Sequence, residues 1–247
     1  MVTVTKKKVK NFFHKQQFFQ TTYDLEITDS TYVFLTLGQS NAANRSTDVY
    51  QPKREVYNYY NNKIYKAKEP LIGTVGDKTS VWTRVSDSLV ALKKCDKVVL
   101  IPIAIGNTTV EDWSNGFCSE ILQNTLEELK INNIKPTHVL WHQGEANNGK
   151  SKNYKSELVK VLNNIRKFTN APFYCSIATY NPESTLTLGI DVELQNIQTA
   201  FIKENDDVFL GANTDELIHA IYRYDGQHFS SIGNKKYAEM WINALTQ

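Results

Sequence analysis

A serine, an acid and a histidine occur in that order at Ser40, Asp225 and His228. Together they are the parts of a serine acyl-transfer site. A serine hydroxyl is a poor nucleophile until a base removes its proton. Histidine is the side chain suited to that task near neutral pH. Asp225, three residues before His228, can fold its carboxylate back onto the imidazole N–H, fixing the tautomer and stabilising the imidazolium. The tetrahedral intermediate needs donors for its oxyanion, each typically worth about 3 kcal/mol. The backbone N–H groups of Ser40 and Gly106 and the side-chain amide of Gln143 are the candidates. Gln39, Asn107 and Glu145 adjoin them and complete a candidate oxyanion and substrate-binding set. Taken singly, each residue has a plainer role. Ser40 reads as a helix N-cap, Asp225-Gly226 as a turn, and Gln143 as a partner for buried backbone. Asn41 either orients the Ser40 loop or caps a helix, and Arg45 reads as solvated or as a contact for an acidic sugar. Of the other histidines, His142 adjoins the set but should point away from Gln143. His138 starts a strand, and His219 has no nucleophile near it.

What unites the candidates is their place after apolar runs. Five runs read as strands: Thr31–Leu37, Lys97–Ile105, Thr137–Trp141, Pro172–Thr179 and Val208–Ala212. Five stretches have helical spacing: Ser80–Lys94, Phe117–Ile131, Asn153–Phe168, Val192–Lys203 and Ser230–Leu245. The run KVVLIPIAI is apolar almost throughout, the mark of a strand covered on both faces. This alternation predicts an α/β fold, a five-stranded parallel sheet with helices on both faces. In such sheets ligands bind beyond the carboxyl ends of the strands. Gly38-Gln39-Ser40-Asn41 follows the first strand and Gly106-Asn107-Thr108 the second. Gln143-Gly144-Glu145 follows the third, and Asp225-Gly226-Gln227-His228 lies between the fifth and the last helix. Joint placement at one edge is what favours chemistry over the plainer roles. Gly38 then gives the sharp exit that exposes the serine.

The 247 residues are 41% hydrophobic and carry 28 Lys+Arg against 26 Asp+Glu, a formal net charge of +2. That balance gives no reason to expect a nucleic-acid partner. Residues 1–30 read as a basic extension and 31–247 as one domain. The KKKVK run in the extension reads as a solvated tail. The apolar stretches are shorter than the roughly 20 residues of a membrane span. The start of the chain lacks the apolar core of a signal peptide, which gives a cytoplasmic reading, or a secreted one if a leader was removed. Cys95, Cys118 and Cys175 are widely spaced and odd in number, so they read as buried free thiols. No metal-ligand spacing or phosphate-binding glycine loop occurs. Residues 45–79 form a long polar connection with Tyr50, Tyr57, Tyr59, Tyr60 and Tyr65, which reads as a wall of a cleft. These tyrosines and the four tryptophans suit sugar stacking. Nothing in the pattern fixes an oligomeric state.

The four blocks resemble those of the SGNH hydrolases, and within them the sialate O-acetylesterase-like and family 6 carbohydrate esterase branch. Gly38-Gln39-Ser40-Asn41 is similar to the block bearing the nucleophile, and Gly106-Asn107-Thr108 with Glu111-Asp112-Trp113 to the second. Trp141-His142-Gln143-Gly144-Glu145 is similar to the third, where glutamine replaces the asparagine of other SGNH enzymes. Asp225-Gly226-Gln227-His228-Phe229 is similar to the block bearing acid and base. The resemblance spans about residues 32–245. It implies a flavodoxin-like three-layer αβα domain that removes acetyl groups from O-acetylated sugars without a cofactor. An O-acetyltransferase using the same residues and, further off, a non-catalytic glycan-binding module are the alternatives. Three positions depart from the pattern: Asn107 where a second glycine is common, Asn147 where an acid is frequent, and Phe229 where proline is common.

Overall fold

The computed structural model describes residues 21–247; the basic KKKVK run lies outside them. Along Thr31–Gly38 the side chains alternate between two cores. Val33, Leu35 and Leu37 join one, and Phe34 joins the other. Lys97–Ala104 behaves alike, with Val99, Ile101 and Ile103 on one side and Val98, Leu100 and Ala104 on the other. A strand with apolar residues on both faces must be covered on both, and helices do so. The layer order is therefore helix, sheet, helix.

In chain order the strands are β1 (Thr22–Tyr23), β2 (Thr31–Gly38), β3 (Val56–Tyr60), β4 (Lys63–Lys66), β5 (Lys97–Ala104), β6 (His138–His142), β7 (Phe173–Ile177) and β8 (Val208–Asn213). The helices are α1 (Trp82–Ala91), α2 (Val110–Ser114), α3 (Phe117–Ile131), α4 (Tyr154–Arg166), α5 (Val192–Lys203) and α6 (Ser231–Thr246). Residues from α2 to α5 pack on one face of the sheet. Trp82, Val85 and Leu89 of α1 and Tyr237 and Trp241 of α6 pack on the other.

The sheet order is β1-β4-β3-β5-β2-β6-β7-β8. The five strands expected from the sequence are all present and mutually parallel, in the order second, first, third, fourth, fifth. That is the flavodoxin-like order, whose switch point lies at the first strand. The sheet is larger than expected, with eight strands instead of five. β3 pairs with β5 in parallel and with β4 in antiparallel, and β1 adds to β4. Thr22–Tyr23, inside the expected extension, thus belongs to the sheet.

The hairpin corrects the reading of residues 45–79 as a cleft wall with sugar-stacking tyrosines. Tyr57, Tyr59 and Tyr65 are buried in or beside the core. Asn58 lies buried among them, donating to the carbonyls of Tyr59 and Ile72 and accepting from the Ile72 N–H. Tyr50 donates to Asp87 at 2.5 Å instead of facing a cleft. Trp82, Trp113, Trp141 and Trp241 are all fully buried, so none can stack on a substrate. The three cysteines are free and buried.

Candidate active site

The site starts from the register at the switch point. Gly38 pairs with Ala104 on one side and with His142 on the other. Residues just beyond all three therefore emerge together. Gly38 has φ +143°, and a Cβ there would lie 1.9 Å from the His142 carbonyl oxygen. Only glycine lets β2 and β6 close at that point. The Gln39 N–H donates to the same carbonyl at 3.1 Å. Ser40 follows, at the first position of a 3-10 turn over Ser40–Ala42. The N-cap of that turn is Gln39 and Ser40 lies inside it, which removes the plain N-cap reading. A Cβ on Gly106 would lie 3.6 Å from the Ser40 Cβ, so the β5 loop stands directly beside the serine. Among the described residues neither the Ser40 N–H nor the Gly106 N–H donates to another group. Asn107, exposed beside them, has φ +60°, a left-handed conformation that asparagine tolerates in place of the expected glycine.

Three amides lie behind the serine, and backbone groups fix which way each points. Asn147 Oδ1 accepts from the Val110 N–H at 2.9 Å. Gln143 Nε2 must then be the atom facing that oxygen, at 2.7 Å, and it also donates to the Thr108 carbonyl at 3.0 Å. Gln39 Oε1 accepts from the Ala146 N–H at 3.1 Å and from Gln143 Nε2 at 3.3 Å. The expected role of Gln143 as an oxyanion donor does not match this geometry. The residue is fully buried, and protein acceptors already occupy its N–H groups. The Gly144 N–H is a third donor to Gln39 Oε1, at 3.5 Å, and with Oε1 so engaged Gln39 Nε2 is left without a partner among the described residues. Asn147 also donates to Glu111 at 3.1 Å. An amide can accept from Gln143 and donate to Glu111, whereas an ionised carboxylate can only accept, which accounts for Asn147 where an acid is frequent.

Glu145, expected near substrate, is buried beneath the serine loop instead. It accepts from Asn41 Nδ2 at 3.0 Å and lies 3.0 Å from His142 Nε2. Burial by itself would raise this carboxyl, but the His142 imidazole and the Asn41 amide hold it below the usual carboxylate range. His142 packs on the Tyr237 ring at 5.1 Å, on the opposite side from the amides, as expected. His138 sits against Tyr32 and Phe34, and burial lowers its pKa to about 4. His219 accepts from the Ile221 N–H.

The base lies on a surface turn. Asp225 Oδ1 accepts from the N–H groups of Gln227 and His228, at 3.0 and 2.6 Å. Its Oδ2 lies 2.7 Å from His228 Nδ1, which leaves Nε2 on the far side of the ring. Burial would raise the Asp225 carboxyl, but the imidazole and the two N–H groups outweigh it and hold it low. Two bonds bring the turn to the serine loop. Asn41 Nδ2 donates to the Gln227 carbonyl at 3.4 Å, and the Thr47 N–H donates to the Phe229 carbonyl at 3.2 Å. This settles Asn41 as a loop-orienting residue. Tyr224 stacks on the His228 ring at 6.2 Å and is 41% exposed, with Lys78 Nζ 5.6 Å from its centroid. Neither Tyr224 nor Arg223 was singled out by residue type or spacing.

The family model described as "Carbohydrate esterase, sialic acid-specific acetylesterase" matches residues 30–247. The chain belongs to this family. It is a carbohydrate esterase, and its activity is the removal of acetyl groups from carbohydrate. No curated protein sequence matches it. Solved structures share its fold at low identity. A protein of Arabidopsis thaliana is 16% identical with a TM-score of 0.68, over 87% of this chain and 97% of that one. An acetylxylan esterase of Geobacillus stearothermophilus is 13% identical with a TM-score of 0.56, over 87% and 94%. A carbohydrate acetylesterase of Xanthomonas citri is 14% identical with a TM-score of 0.57, over 86% of this chain and 55% of that one.

Proposed function

We propose that Ser40, Asp225 and His228 carry out the deacetylation through an acetyl-enzyme. The observation that supports this most is the 2.7 Å pairing of Asp225 with His228 on a turn bonded to the loop of Ser40. His228 takes the Ser40 proton as Oγ attacks the ester carbonyl, and passes it to the departing sugar oxygen. Water then enters and gives a proton to His228 as its oxygen attacks the acetyl carbon; His228 returns that proton to Ser40 Oγ as it leaves, and acetic acid departs and ionises to acetate. The oxyanion receives the N–H groups of Ser40 and Gly106, with Gln39 Nε2 as the side-chain donor in place of Gln143. Asn107 stays on the open rim, where it meets substrate. Tyr224 offers the exposed ring beside the base, and Arg45 and Lys78 lie close to it.

The test is acetate release from a panel of O-acetylated sugars, with and without an acceptor glycan. Free acetate in proportion to ester lost supports hydrolysis. Acetyl groups recovered mainly on the acceptor would replace this reading with the transferase.

A further inference from the structure

We propose that Arg223 positions the catalytic base, its buried guanidinium holding the Gln227 carbonyl so that His228 is set against Ser40. The inference rests on the assignment of Ser40 and His228 above. Arg223 is 3% exposed. It spends its fork on three backbone carbonyls. Nε donates to Leu217 at 2.7 Å, Nη2 to Thr214 at 3.1 Å and Nη1 to Gln227 at 2.6 Å. Its Cζ lies over the Phe229 ring, 4.0 Å from the centroid. The residues before and after His228 are therefore both held by one side chain.

The bonds that Asp225 makes stay within residues 224–228, so they shape the turn without placing it. Placement comes from below. The Gln227 carbonyl that Arg223 holds is also the acceptor of Asn41, the neighbour of Ser40 in the chain. One oxygen thus ties the nucleophile loop to the base loop. Burying a guanidinium disfavours its charge. The three carbonyls offset that cost, and the carboxylates of Glu145 and Asp215 favour the charge. Phe229, where proline is common, extends this support. It lies between the guanidinium and Tyr237, whose ring is 4.7 Å away. A lysine keeps the charge but has no planar fork to span three carbonyls.

The experiment compares Arg223→Lys and Asn41→Ala with the unmodified chain. It reads kcat and KM for an acetate ester, the rate of Ser40 phosphonylation by a fluorophosphonate, and a thermal melt. A misplaced base costs about 100-fold in rate. Arg223→Lys is expected to lose about that much in both kcat and phosphonylation, with KM within about twofold and the chain folded. Asn41→Ala is expected to lose about tenfold in the same two rates. Wild-type phosphonylation in folded Arg223→Lys, or a loss carried by KM alone, overturns the proposal. If Arg223→Lys does not fold, Asn41→Ala decides, and an unchanged kcat there overturns it. An unmodified chain inert to the fluorophosphonate would instead overturn the assignment of Ser40.

Discussion

Ser40 stands on a bed of buried amides, whereas His228 stands on a turn at the surface. Gln39, Gln143 and Asn147 are each at most 1% exposed and bonded to one another. Asp225, by contrast, has a side chain 38% exposed, and His228 one 19% exposed. The first half is fixed because a buried polar group without a partner costs about 1–3 kcal/mol. The second is fixed by few bonds, of which the one from Arg223 Nη1 to the Gln227 carbonyl, at 2.6 Å, is shorter than the one from Asn41 at 3.4 Å. Changes under the serine should therefore cost folding and activity together. Changes in the turn should cost activity alone.

The largest effect sharpens that division. Ser40→Ala and His228→Ala should each lower kcat on the order of 10⁵-fold with an unchanged melting temperature. Residual turnover near wild type in either would remove that residue from the chemistry. Asp225→Asn should lower kcat by roughly 10²- to 10⁴-fold, since it keeps the turn but loses the charge that orients the imidazole. A wild-type rate would reduce the triad to Ser40 and His228. Gln143→Leu is the counterpart on the buried side. It strips Asn147 Oδ1 and the Thr108 carbonyl of a donor, and should destabilise the chain by about 3 kcal/mol in a denaturant titration. Undiminished stability with lost kcat would return Gln143 to the oxyanion and break the comparison.

A pH effect on stability comes from a buried carboxyl away from both halves. Glu69 accepts from Ser80, Thr83 and the Leu71 N–H, yet burial raises its pKa to about 7. The folded chain therefore binds this proton more tightly than the unfolded chain. Stability should fall as pH rises from about 4.5 to 7, by up to about 3 kcal/mol from this group, and stay low above that. Glu69→Gln should flatten the profile in that window, and an unflattened profile would remove Glu69 as its source. The smallest effect lies in the turn. Tyr224→Ala should raise KM for a sugar ester about threefold, near 0.7 kcal/mol, and leave a small chromogenic acetate ester unaffected. Equal losses on both esters would mean that the ring supports His228 instead of substrate.

The central sheet was legible because its strands are apolar on both faces, and α3 and α5 because their apolar spacing fills whole turns. Their observed bounds, Phe117–Ile131 and Val192–Lys203, are the expected ones. The hairpin β3–β4 was not, because tyrosines read equally as strand or as binding surface. Asn61-Asn62 carried the missing signal. Both residues have positive φ, the geometry of a tight hairpin turn. Block positions placed Ser40, Gly106, Asp225 and His228 at one edge. They did not show that Glu145 and Gln143 turn inward, since burial depends on register across three strands. Arg223 was invisible because its partners are carbonyls, which every residue has.

The bond from Asn41 to Gln227 joins residues 186 positions apart. Contacts of such separation require closing a very long loop, so they form late and slowly. A refolding chain should recover its sheet before its esterase activity. The lag between the two signals would time the docking of the C-terminal turn.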